Sequence, residues 1–310
     1  MKSKNILITA VMAALLLTAG CARVSKEWLD LEKSTEHERI AFSVPFFAQD
    51  EYQCGPAAMA MVLNDKGLLV TPEELKPVIY TPSKNGSLQS AMISGARRYD
   101  MVPYVFYGPE TLLSGLKEGI PSIVLLNLGL GIHPVWHYAV VLGIDFESKE
   151  IIMHSGTKQY DTMKLATFDK TWARSNYWGL FVLEPGEIPA KADPLRYVQT
   201  VSAFENTGKT GTALRSYKAA YERWQDDPFV MLGLANAYYA MKDLHSAENV
   251  LADAAAKHPE NGEILNNYAY VLFLNGKHDK AEEYARKAVA LGGKHLKDYK
   301  DTLNEIISNK

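Results

Sequence analysis

Gln49-Asp50-Glu51-Tyr52-Gln53-Cys54-Gly55-Pro56-Ala57-Ala58-Met59-Ala60-Met61-Val62-Leu63 sets a cysteine at the start of an apolar helix. Pro56 suits the first helical position, where a missing N–H needs no partner, and the Ala, Met, Val and Leu that follow are helix formers. Unpaired backbone N–H groups and the positive end of the helix dipole at Cys54 favour the thiolate, the nucleophilic form of cysteine. The stretch therefore predicts a reactive thiol on a buried helix.

Such a thiol needs a base from elsewhere in the chain. Trp136-His137-Tyr138-Ala139-Val140-Val141-Leu142-Gly143-Ile144-Asp145 is a run of β-formers, followed by polar Glu147-Ser148-Lys149-Glu150 and apolar Ile151-Ile152-Met153. This predicts a β-hairpin with His137 at its open end. A cysteine at a helix start and a histidine on a later strand form the papain-like arrangement of a cysteine peptidase, whose thiolate attacks an amide carbonyl.

With these residues in view, the chain resembles the double-glycine leader peptidases of bacteriocin processing from about Ala41 to Pro185. The likeness is carried by Val44-Pro45-Phe46-Phe47-Ala48-Gln49, Gln53-Cys54-Gly55-Pro56-Ala57-Ala58, Gly119-Ile120-Pro121-Ser122-Ile123-Val124 and the Trp136–Asp145 strand. It implies Cys54 as nucleophile, His137 as general base and Gln49 as side-chain donor to the oxyanion, a contribution typically worth ~10²–10³ in rate. In the family an Asp, usually followed by Pro, orients the imidazole from the next strand. Met153-His154-Ser155-Gly156-Thr157 holds no carboxylate there. Asp145 lies at the turn end, about 26 Å from His137 along an extended strand. His154, the remaining catalytic candidate, or Ser155 beside it is the nearer substitute, and a neutral orienter predicts a weaker catalyst or a Cys–His dyad. No membrane-spanning or ATP-binding segment follows as in transporter-linked relatives, so double-glycine specificity is not carried over.

Residues 1–20 carry Lys2 and Lys4, then apolar Ile6 to Leu17, the pattern of a signal peptide. Thr18-Ala19-Gly20-Cys21 resembles a lipobox, with Thr18 where Leu is commonest, and implies a bacterial lipoprotein acylated at Cys21. Ala22 resembles lipoproteins sent to the outer membrane of Gram-negative cells. The expected location is therefore outside the cytoplasm, lipid-anchored, on the outer membrane facing the periplasm. Residues 21–40 are charge-rich and read as a tether with a short helix at 26–33. The chain has two cysteines, so lipid on Cys21 leaves Cys54 without a disulfide partner. Loss of residues 1–20 removes two of 33 basic residues and none of 36 acidic ones, leaving 31 against 36, a net −5. No basic stripe interleaves with aromatics, which argues against nucleic acid. No metal or cofactor motif emerges. His133 and His137 have the four-residue spacing of a helical metal pair, but Pro134 breaks that helix. Gly129-Leu130-Gly131-Ile132-His133-Pro134 instead suggests a flexible lid.

Residues 41–185 predict an α+β domain, with helices first and a sheet mostly second. Glu184-Pro185-Gly186-Glu187-Ile188-Pro189-Ala190 opens a linker at 186–193. Beyond it Ala213, Ala247 and Ala281 recur every 34 residues, as do Ala220, Ala254 and Ala288, and Val201, Ala235 and Ala269. This is the period of the tetratricopeptide repeat, and 194–310 predicts about three repeats with a capping helix from His295 to Ile307. The expected fold is an α+β papain-like cysteine peptidase domain followed by an all-α tetratricopeptide-repeat domain. The expected partners are a peptide or protein substrate, a protein bound by the repeats, and a membrane reached through the lipid on Cys21. A peptide-binding pseudo-peptidase or an assembly scaffold is the alternative to an enzyme.

Overall fold

The computed structural model describes residues 24–35, 38–49 and 53–309. The expected signal peptide 1–20, Cys21 and Asp50-Glu51-Tyr52 lie outside the described residues. In chain order the first elements are α1 (Lys26–Thr35), β1 (Arg39–Ala41), α2 (Cys54–Asp65), α3 (Pro72–Ile79), β2 (Tyr80–Thr81) and β3 (Gly86–Ser87). Then come α4 (Gln89–Arg98), β4 (Val102–Tyr107), α5 (Pro109–Lys117), β5 (Ser122–Asn127), β6 (Trp136–Asp145), β7 (Glu150–Ser155), β8 (Lys158–Lys164), α6 (Leu165–Ala173) and β9 (Trp178–Leu183). Seven helices follow: α7 (Pro194–Glu205), α8 (Thr210–Arg223), α9 (Pro228–Ala240), α10 (Leu244–Lys257), α11 (Gly262–Leu274), α12 (His278–Leu291) and α13 (Leu296–Ser308). The chain divides into two compact units, Met1–Leu88 with Val105–Leu180, and Gln89–Tyr104 with Phe181–Lys310.

The main sheet runs β4-β9-β5-β6-β7-β8, with β1 added on β6. β9 lies inside this sheet, between β4 and β5. β5 is buried along its whole length, which suits the apolar run Ile123–Leu126 at its centre. β6 pairs antiparallel with β5 from Asn127↔Trp136 to Ser122↔Val141. On its other edge it pairs with β7 from Val140↔His154 to Asp145↔Glu150, with a register shift between Val141 and Gly143. Its last residues pair with β1, Ala41↔Gly143 to Arg39↔Asp145. Only glycine fits at 143, because a Cβ there would lie 2.3 Å from the Ile40 carbonyl oxygen. β8 is exposed except at half-buried Asp161 and Met163, as suits an edge strand.

α2 packs against β6 and buries every residue from Gly55 to Leu63. The following α3 opens on a capping box, with the Thr71 side chain accepting from the Glu74 N–H and the Glu74 carboxylate accepting from the Thr71 N–H. α1 falls where a tether was expected, yet it is docked. Trp28 is fully buried, edge-on to Phe168 with ring centroids 6.5 Å apart. The Ser25 N–H donates to Asp169 Oδ2 at 2.8 Å, and Glu27 Oε1 accepts from the Glu110 N–H at 3.3 Å. Among the described residues no helix is long and apolar enough to cross a membrane.

In the second unit, α7 to α12 form three helix pairs and α13 closes the last with Tyr299 and Ile306 buried. The repeating alanines Ala213, Ala247 and Ala281, like Ala220, Ala254 and Ala288, are all completely buried, as close helix packing requires. Asp193, Asp227, Asp243 and Asn261 cap α7, α9, α10 and α11 by accepting from backbone N–H groups of the first turn. The 186–193 segment is held as well: the Arg223 guanidinium donates to the carbonyls of Ile188, Pro189 and Ala190. The mixed α/β domain followed by helical repeats at 194–308 is the fold class that the sequence predicts.

Candidate active site

Cys54 opens α2, and no side chain caps that helix. The helix-start N–H groups are therefore free to face the sulfur. Hydrogen bonds from the backbone N–H groups of Tyr138, Gly55 and Cys54 itself pull the thiol's pKa down, while loss of water on burial pushes it up more strongly. The net effect is a raised thiol, opposite to the thiolate expected from the helix start alone. Because the sulfur takes a hydrogen bond from Tyr138, α2 brings Cys54 within one residue of His137 along β6.

His137 is half-buried near the start of β6, and burial pushes its imidazole below the ordinary range. Its Nε2 lies 3.0 Å from Ser155 Oγ, at the end of β7. In the tautomer that carries the proton on Nε2, the ring donates to Ser155, and Nδ1 is left to take a proton. Both shifts favour the uncharged thiol and the uncharged imidazole.

Gln49 follows an extended segment from Val44, and its N–H donates to the Gly156 carbonyl at 3.1 Å. Its side-chain Nε2 is buried and has no hydrogen-bond partner among the described residues. A buried, unpaired amide donor costs about 1–3 kcal/mol. A site that later receives an oxyanion would recover that cost.

His154 corrects the reading made from the sequence. It is completely buried, and both ring nitrogens are committed away from His137. Nε2 donates to the Val44 carbonyl at 3.0 Å, and Nδ1 accepts from the Tyr160 N–H at 3.1 Å. Phe46 and Tyr160 meet the ring edge-on at 5.1 and 4.9 Å. Strand alternation explains the difference, since neighbours on β7 point to opposite faces, and Ser155 takes the face of His137. His154 instead ties the segment leading to Gln49 to β7 and β8. Asp145 lies at the far end of β6, paired with Arg39 at 3.5 Å.

The loop between β5 and β6, expected to be a flexible lid, is braced at its base. Asn127 Oδ1 accepts from the Gly129 and Val135 N–H groups, both at 3.0 Å, and Arg174 donates to the carbonyls of Asn127 and Gly129. Sequence reasoning missed this brace, because Arg174 is remote in the chain and no local pattern marks it.

Residues 42–179 match the Peptidase_C39 like family, and residues 232–295 match the tetratricopeptide repeat. No curated protein matches the chain. Among solved structures it is similar to a putative C39-like peptidase from Bacillus anthracis, 18% identical over 47% of this chain and 98% of that one, TM-score 0.41. It is also similar to the peptidase domain of Streptococcus ComA, a bi-functional ABC transporter, at 19% identity over 46% and 98% of the two chains, TM-score 0.38. The repeats are similar to the type III secretion chaperone SycD of Yersinia enterocolitica in complex with a peptide of the translocator YopD, at 19% identity over 38% and 96%, TM-score 0.35. The chain thus carries a Peptidase_C39-like domain followed by tetratricopeptide repeats.

Proposed function

We propose that the protein is a cysteine peptidase whose helical repeats dock a substrate or partner protein. Cys54 attacks the scissile carbonyl while its proton passes to His137, and the oxyanion is held by Gln49 Nε2 and the N–H groups at the start of α2. His137 then protonates the leaving amine, and water attacks the thioester to release the acid and return the thiol. The observation that carries this reading is the Cys54 sulfur accepting from the N–H of Tyr138, the residue next to His137. Cys54→Ser should abolish cleavage of a peptide library read by mass spectrometry, and the reading fails if the variant cleaves as the parent does.

A second reading, a pseudo-peptidase or assembly scaffold that binds peptides without cutting them, is favoured by one observation. Burial favours the uncharged thiol and imidazole, and among the described residues the ring's hydrogen-bond partner is a hydroxyl. Peptide capture by the full chain with no cleavage over days would support it. Anchoring by lipid on Cys21, outside the cytoplasm on the outer membrane, is part of the same proposal. It predicts that Cys21→Ala releases the protein from the membrane fraction.

A further inference from the structure

We propose that Ser155 is the positioning residue of His137, and that, because its hydroxyl brings no charge, the Cys54–His137 pair rests in its neutral form. The inference rests on the peptidase reading and concerns how that site is controlled.

The geometry carries it. Nε2 of His137 is 3.0 Å from Ser155 Oγ, a hydrogen bond that fixes the ring's rotation about its side chain. The hydroxyl sits where β7 ends, with Gly156 following at a positive φ of 61°, and the Gly156 carbonyl accepts from the Gln49 N–H. Ring, hydroxyl and the Gln49 backbone are therefore joined through adjacent residues. A shift of Ser155 would move the base and the oxyanion donor together.

The groups around the ring define its charge state. β7 contributes Ser155, and α2 sets the Cys54 sulfur on the N–H of Tyr138, the next residue along β6. β5 places Leu126 opposite His137 in register, and on β6 itself the Tyr138 phenol, pushed up by burial, stays protonated. Among the described residues, burial is the cause that moves His137 and no carboxylate offsets it. A hydroxyl orients an imidazole without stabilising its cation, whereas an adjacent carboxylate does both. The proton must then leave sulfur for nitrogen without a standing ion pair. Ionisation of the nucleophile accordingly belongs to the alkaline side of neutrality.

The test reads alkylation of Cys54 by iodoacetamide across the pH range, by mass spectrometry of the Cys54 peptide, in the full chain. Ser155→Asp should lower the midpoint by about 1–3 pH units, since an opposite charge beside the ring favours the imidazolium and with it the thiolate. Hydrolysis of a small activated ester should fall about tenfold in Ser155→Ala and be kept in Ser155→Thr, which retains the hydroxyl. The Ala and Thr pair decides the matter if the Asp variant does not fold. A midpoint in Ser155→Asp equal to the parent's, with His137→Ala displaced, overturns the inference and leaves the Cys54–His137 pair standing. Equal ester rates in Ser155→Ala and the parent overturn it as well. A profile that His137→Ala leaves unmoved overturns the pairing itself, and the peptidase reading falls with it.

Discussion

Gln49 offers a perturbation whose two effects should have opposite signs. Its side-chain Nε2 is buried without a partner among the described residues, while its backbone N–H is anchored on the Gly156 carbonyl at 3.1 Å. Gln49→Met keeps the length and flexibility of the side chain and leaves that backbone anchor intact, but it deletes the unpaired donor. An unsatisfied buried donor costs about 1–3 kcal/mol, so removing it should leave stability unchanged or raise it by up to about 1 kcal/mol. In a protein of this size that corresponds to a rise in Tm of roughly 2–4 °C. Deleting an oxyanion donor should meanwhile lower kcat by ~10²–10³, or about 2.7–4 kcal/mol of barrier. Thermal melting and hydrolysis of an activated ester measure the two on one preparation, since the ester forms the same oxyanion as a peptide. Turnover close to the parent's, or a variant that melts lower, would refute the assignment and make the amide a structural group.

Three further outcomes follow from the packing and the buried histidines. Trp28→Ala should cost about 3–5 kcal/mol where α1 docks and, because a helix so short is marginal alone, should raise hydrogen exchange across 26–35 while β6 stays protected; unchanged exchange refutes the docking. Gly233→Ala would set a Cβ 2.5 Å from the Tyr217 ring, whose hydroxyl is bonded to Glu205, so urea unfolding should lose about 1–3 kcal/mol of stability. His137 and His154 both have folded pKa values below the unfolded one, so the folded state binds fewer protons and stability must fall as pH drops below about 6.5. Each contributes up to about 1.4 kcal/mol per pH unit, and His154→Gln should flatten the slope by one such contribution.

The parts of this molecule with local signals were legible from the sequence. The Pro56 helix start acts within a turn of chain, and the 34-residue spacing of the alanines is a repeat that shows along the chain itself. β8 escaped notice because an edge strand such as Lys158–Lys164 is mostly polar and carries no apolar run. α6 and the interior place of β9 depend on which strands pair, and periodicity does not encode that. At the site, the separation along the chain predicted a group near residue 154 on the return strand, but choosing between His154 and Ser155 needed the face each presents. The charge state of Cys54 was misread for a related reason: the helix start is visible in the sequence, whereas the loss of water around the sulfur is a property of the packed state.

The docking of α1 limits how far a lipid anchor would let the protein travel. Four peptide steps separate Cys21 from Ser25, whose N–H is fastened to Asp169, and fully extended they reach at most ~14 Å. Should Cys21 carry acyl chains, the thiol-bearing unit would ride at the lipid headgroups like a boat on a short mooring. Its clients would be polypeptides already lying at the bilayer surface, and those diffusing in the open compartment would be served far less often.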